Sequence, residues 1–187
     1  MRKVIVTEFV TLDGVMEEPT PWQQGYASPE IGQFKADELF ECGALLLGRV
    51  TYEGFVRYWP DATGTGVFGE RMNHLPKFVA TTTLKSLEWN AAVLEGDVVT
   101  AVRGLKQKEG RPLLTYGSAT LAQTLLRAGL VDELRLMVYP VVLGQGRRLF
   151  AGDDRLELTL TSSRTLGAGV VLLIYQPTAA RQPLLQT

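Results

Sequence analysis

Two segments of this chain combine glycine with residues suited to binding an anion. The first is Leu45-Leu46-Leu47-Gly48-Arg49-Val50-Thr51-Tyr52-Glu53, an apolar run that stops at glycine and continues into a strand-to-helix transition. Glycine lets the backbone approach a ligand closely, and the helix behind it offers unpaired N–H groups. Arg49 adds a planar fork of donors that fits a phosphate monoester. The second is Pro112-Leu113-Leu114-Thr115-Tyr116-Gly117-Ser118-Ala119-Thr120-Leu121, a buried strand meeting a glycine, small residues and a well-patterned helix. That order seats a pyrophosphate on a helix N-terminus. Each junction also has a plainer reading: Gly48 as a turn residue beside a solvated Arg49, and Gly117-Ser118 as an ordinary helix cap. Two such junctions in one small α/β domain favour the anion, because both would open on the same carboxyl edge of the sheet.

Other reactive residue types are sparse. Cys42 is the single cysteine and His74 the single histidine, so neither a disulfide nor a zinc site of the usual ligands is expected. Cys42 precedes an apolar run and reads as a small buried hydrophobe; His74 reads as a surface or capping residue near a helix end. The formal net charge is −1 and no more than two basic residues are adjacent, which argues against a nucleic-acid or anionic-membrane surface. No apolar run approaches the ~20 residues of a membrane span, and the N-terminus lacks a signal-peptide pattern. A cytoplasmic protein is the expectation.

The elements that must position the two junctions follow from the pattern. Residues 3–12, rich in β-branched side chains, predict a first strand ended by the Asp13-Gly14 turn. A proline- and glycine-bearing loop, too irregular for an element, leads to Ser28-Pro29-Glu30, which starts a helix over 29–41. Strands are predicted at 44–47, 77–81 and 112–116, and helices at 67–75, 97–108 and 119–128. Gly129 closes the last helix. The final third, 133–142, 156–166 and 169–176, is strand-rich with no helix between. Alternating strand and helix followed by antiparallel strands predicts an α/β fold with a mixed, mostly parallel sheet and helices on both faces. One domain over 1–177 is expected, with 178–187 as a disordered tail.

At these residues the sequence resembles the superfamily of dihydrofolate reductase and the C-terminal reductase domain of the riboflavin-biosynthesis deaminase/reductase. Gly48-Arg49-Val50-Thr51-Tyr52-Glu53 resembles the family's Gly-Arg-x-Thr-(Trp/Tyr)-Glu segment, and Tyr116–Leu121 stands where the family has its pyrophosphate turn. Thr11-Leu12-Asp13-Gly14 resembles a Ser-Leu-Asp-Gly strand end, and Gly129–Leu134 with Pro140–Gly146 resembles the closing signature of the riboflavin branch. The resemblance implies the dihydrofolate reductase-like three-layer fold and NADPH as cofactor. Arg49 would lie near the 2′-phosphate, with Gly48, Thr51, Thr81 and Thr82 at the adenosine-phosphate half. Gly117, Ser118, Ala119 and Thr120 would receive the pyrophosphate.

The resemblance is weaker on the substrate side. Pro21-Trp22 and Ser28-Pro29-Glu30 loosely echo the segment that carries the acid of dihydrofolate reductase, which makes Glu30 a catalytic candidate and equally a helix-dipole acid. Asp13 is divided between a turn role and a role at the substrate. Trp22, Tyr52 and Arg147 are candidate substrate contacts, the aromatics suiting a planar heterocycle. Phe55 and Trp59, four apart, read first as a core-facing helix stripe. Riboflavin-type reductases act on a ribosylaminopyrimidine phosphate, and this chain lacks the zinc-deaminase signature. It therefore resembles a stand-alone reductase domain, expected to form a homodimer and to reduce such a pyrimidine or a folate-like pteridine. The alternative is a nucleotide-binding module of the same fold without turnover.

Overall fold

In the computed structural model, described over residues 1–150 and 155–178, one eight-stranded sheet runs through the chain. The expected tail, Thr178 apart, lies outside the described residues. Strands β1 (Val4–Thr11), β2 (Ala44–Gly48), β3 (Lys77–Ala80), β4 (Ala91–Val93), β5 (Leu113–Tyr116) and β6 (Glu133–Tyr139) are parallel. β7 (Leu158–Thr165) and β8 (Val171–Pro177) complete the sheet as antiparallel strands, in the order β4-β3-β2-β5-β1-β6-β8-β7. β1 and β5 lie at the centre and are almost wholly buried, as expected of β-branched and leucine-rich strands covered on both faces.

Alternation along β1 divides its side chains between two cores. Val4, Val6 and Val10 face α5 (Val98–Gln107) and α6 (Ala119–Arg127), which contribute Val102, Leu105, Leu121 and Leu125. Ile5, with Leu45, Leu47 and Leu114, faces the other way. There it meets Leu39 of α2 (Pro29–Glu41), Tyr52 of α3 (Arg49–Tyr58) and Met72 of α4 (Gly66–His74). Each fully buried leucine is worth roughly 1.5–3 kcal/mol relative to exposure, so these two layers set the sheet's register. Phe55 and Trp59 pack on the second core with ring centroids 6.4 Å apart, the core stripe expected of them.

Local signals place the helix ends. Ser28 Oγ accepts from the Ile31 N–H at 3.2 Å and Pro29 follows it, so α2 begins where the sequence predicts. Asp97 Oδ1 accepts from the Thr100 N–H at 2.9 Å and caps α5. Two short elements depart from the reading. The loop taken as irregular holds a five-residue helix, α1 (Pro19–Gln23), with proline in its first turn, and β4 adds an edge strand of three residues. Both are too short for a periodic pattern to emerge.

Candidate functional site

The two glycine junctions meet. β2 and β5 are parallel neighbours, yet α3 leaves β2 toward one face while α6 leaves β5 toward the other. Adjacent strands whose helices depart to opposite faces open a crevice at their carboxyl ends, the usual ligand position in open α/β sheets. Across it the Gly48 N–H donates to Ser118 Oγ at 2.8 Å, and Ser118 Oγ donates to the Tyr116 carbonyl at 3.0 Å. Ser118 is thus not a helix cap: its φ is +62° and α6 carries no side-chain cap. Nor does α3, whose capping position is the side-chain-free Gly48. The first turns of both helices therefore present N–H groups that no side chain caps.

The crevice is also tight. A Cβ on Gly48 would stand 3.3 Å from Ser118 Cβ, and one on Gly117 3.2 Å from Thr51 Oγ1. Gly117 has φ +53°, a conformation that favours glycine. Gly48, Thr51, Gly117 and Ser118 are thereby brought together, and Ala119 and Thr120 open α6 directly beyond them. Arg49 is exposed beside the crevice, its guanidinium 2.8 Å from Glu53 one turn on. Register pairs Gly48 with Ala80, so Thr81 and Thr82 lie on the same edge. Thr81 Oγ1 accepts from the N–H groups of Thr83 and Leu84 and shapes that turn, whereas Thr82 is exposed. Arg147 reaches back to donate to Thr120 Oγ1, placing a guanidinium at the start of α6.

The remaining substrate-side expectations are placed elsewhere. Tyr52 is 5% exposed in the core, its hydroxyl accepting from the Glu88 N–H and donating to the Glu88 carbonyl. It pins a loop and has no face toward a substrate. Trp22 packs edge-on to Tyr139 at 5.3 Å and donates from Nε1 to the Glu17 carbonyl. Glu30 is exposed in the first turn of α2, against the Gly167 turn; its own N–H and Ser28 keep its pKa low, as for a helix-dipole acid. Asp13 is held at about 2, first by the Thr11 hydroxyl and then by the Gly144 and Leu143 N–H groups. Arg148 adds a contact at 3.4 Å. Asp13 is a permanent anion that ties the end of β1 to the 143–148 turn. Cys42 is buried and its thiol is pushed up to about 11 by burial, in keeping with an inert hydrophobe. His74 is exposed at the end of α4.

Sequence reasoning missed a group of buried ionisable residues at the β1–β5 pair. Glu8 is 3% exposed, and its Oε1 has no hydrogen-bond partner among the described residues. Burial raises its pKa well above the carboxylate range, opposed first by the charge of Lys35 and then by the Gly117 N–H. Lys35 lies 4.0 Å over the Tyr116 ring and 5.1 Å from that of Phe9, and forms an ion pair with the buried Glu38. Burial lowers the Lys35 pKa, and Glu38 opposes that shift. Arg135 of β6 holds Glu38 at 3.6 Å and Glu41 at 3.0 Å. The Tyr116 phenol is raised by burial and then by the Glu38 charge. The signal was visible: Glu8 is the one charged residue inside β1, and Lys35 and Glu38 interrupt the apolar face of α2.

Fold and site together define an α/β protein of the dihydrofolate reductase-like class, with two glycine junctions joined at its carboxyl edge. More narrowly, the chain belongs to the RibD C-terminal domain family, whose model matches residues 2–172. It is 30% identical over 181 residues to the uncharacterized protein YyaP of Bacillus subtilis (strain 168), covering 93% of this chain and 94% of the relative. Among solved structures it resembles Acinetobacter baumannii RibD with TM-score 0.68 and 17% identity, over 95% of this chain and 58% of that one. It also resembles the riboflavin biosynthesis reductase Rib7 of Saccharomyces cerevisiae with TM-score 0.61 and 14% identity, over 95% and 90% of the two chains. These structural likenesses establish the fold. Among the described residues no helix is long and apolar enough to cross a membrane, and no cluster of metal-ligating side chains occurs.

Proposed function

We propose that this chain is an NADPH-dependent reductase of a small planar heterocycle, most like the ribosylaminopyrimidine phosphate of the riboflavin reductases. The observation that carries the reading is the Gly48–Ser118 contact, which sets two uncapped helix N-termini on one crevice. The donor set fits a dinucleotide phosphate. Ser118, Ala119 and Thr120 would hold the pyrophosphate by backbone N–H groups, with Gly117 letting the chain approach it closely, while Arg49, with Thr51 and the 81–82 turn, would hold the 2′-phosphate end. Bound NADPH supplies a hydride. The chain's own part is to orient that cofactor, to place Arg147 near Thr120 for an anionic substrate, and to manage the proton that reduction requires. The family match and the reductase names among structural neighbours support this assignment.

The test is mixing NADPH with 5-amino-6-(5-phosphoribosylamino)uracil, the substrate named for the Thermotoga maritima structural neighbour, and with dihydrofolate, following loss of reduced-nicotinamide absorbance. Oxidation that depends on added substrate supports the reductase. NADPH binding without oxidation across both favours the binding-only module. Pairing of two copies through the exposed edge strand β7 belongs to the same proposal, and light scattering on the eluted protein checks it.

A further inference from the structure

Resting on that reading, we propose that Glu8 is the proton donor of the reduction and that Lys35 is its positioning residue. Glu8 follows Thr7, whose register partner is Tyr116, so it stands on the central strand level with Gly117 of the anion turn, almost fully buried and with Oε1 unpaired. Neither residue first singled out as an acid can serve. Asp13 is a committed anion, and Glu30 is an exposed acid of low pKa at the far turn of β7 and β8. Glu8 is the carboxyl that the fold both desolvates and sets against the crevice.

The step balances as follows. Hydride from the reduced nicotinamide adds to the carbon of a C=N or C=O bond. The π pair moves to the heteroatom, which takes the proton of the Glu8 carboxyl, breaking O–H and forming N–H or O–H. The nicotinamide leaves oxidised, the substrate reduced, and Glu8 as a carboxylate that regains a proton from water. A bare carboxylate at this depth would be costly. Two groups favour the charged form: the Lys35 ammonium, through its charge, and the Gly117 N–H, through a hydrogen bond. Glu38 is the remaining charge facing Glu8 and opposes ionisation; it also fixes Lys35, and is itself held by Arg135. Removing Lys35 would leave Glu8 harder to ionise, which identifies Lys35 as acting through Glu8.

The experiment is a carboxyl carbon NMR titration of protein labelled at glutamate, with Glu8→Gln to assign the resonance. Glu8 is expected to titrate well above the exposed glutamates, to move higher still in Lys35→Met, and to shift when NADP⁺ is added. A Glu8 midpoint among the exposed glutamates overturns the proposal. So does a resonance unmoved by NADP⁺ at concentrations where calorimetry records binding. If calorimetry finds no NADP⁺ binding at all, the cofactor reading fails instead. With 5-amino-6-(5-phosphoribosylamino)uracil and saturating NADPH, Glu8→Gln should lower kcat by about 100-fold or more; a kcat equal to that of the unaltered protein overturns Glu8 as donor.

Discussion

The Gly48 N–H and the Ser118 hydroxyl, 70 residues apart in sequence, are joined by a 2.8 Å hydrogen bond that closes the crevice between β2 and β5. One serine thus replaces a helix cap with a cross-link between two strand-to-helix turns. Ser118→Ala should lose that bond, roughly 0.5–1.5 kcal/mol, while keeping the left-handed backbone at φ +62°. Ser118→Gly loses the same bond but relieves a conformation costing a non-glycine residue about 1–2 kcal/mol. Urea unfolding should therefore rank Ser118→Gly above Ser118→Ala in stability, and both should bind NADPH more weakly than the parent. The reverse order would mean that the left-handed backbone at Ser118 is not strained; a parent no more stable than Ser118→Ala would mean that the hydroxyl does not hold the turn.

Gly117 predicts a sharper effect. Its φ is +53°, and an added Cβ would stand 3.2 Å from Thr51 Oγ1. Gly117→Ala should destabilise by about 1–2 kcal/mol from backbone strain, and should weaken nucleotide binding further by forcing Thr51 away. Thermal unfolding with and without NADPH measures both. Pairing Gly117→Ala with Thr51→Ala, which removes the opposing Oγ1, should recover little stability, because strain rather than contact dominates.

Asp13 links pH to loop order. Its pKa is depressed to about 2 from the ordinary 3.8, so its contribution to stability is fully present above the ordinary value and is lost as pH falls through about 2. Asp13→Asn should flatten that part of the acid-unfolding curve. It should also speed hydrogen exchange at Leu143 and Gly144, whose N–H groups donate to the carboxylate. Unchanged exchange at those two amides would contradict the tie.

Glu8 predicts the opposite slope. A carboxyl whose folded pKa is raised stabilises fully below its unfolded value and loses that contribution as pH rises toward the folded one. The Tm of Glu8→Gln relative to the parent should therefore climb as pH is raised through and above the ordinary carboxylate range. A constant difference across that range would show that Glu8 is not desolvated.

Most of the fold was legible because its elements are long, patterned and locally capped. α2 begins at Ser28-Pro29 and ends before Gly43, with bounds matching the sequence reading, since cap, proline and glycine each act over a few residues. α1 and β4 were not legible, being shorter than the periods that betray such elements. The two glycine junctions could be read as local motifs, but their union through Ser118 could not, because a hydrogen bond across 70 residues leaves no local trace. On the substrate side, Asp13 and Glu30 were attractive as carboxylates near turns, yet turns are where backbone N–H groups capture carboxylates and lower their pKa. Glu8 was overlooked because a charge in a strand reads as an interruption. The mismatch between Glu8 and its apolar neighbours in β1 was itself the signal.

The most direct test is a fluorescence titration of the protein with NADPH and with NADH, repeated on Arg49→Ala. Arg49 is exposed at the mouth of the crevice and engaged only by Glu53 among the described residues. A charge-assisted bond to the 2′-phosphate is worth about 1.5–3 kcal/mol, so the variant should bind NADPH roughly ten- to hundredfold more weakly while its weak affinity for NADH stays unchanged. Failure of both nucleotides to bind in the micromolar range, or an Arg49→Ala affinity equal to the parent's, would contradict the account.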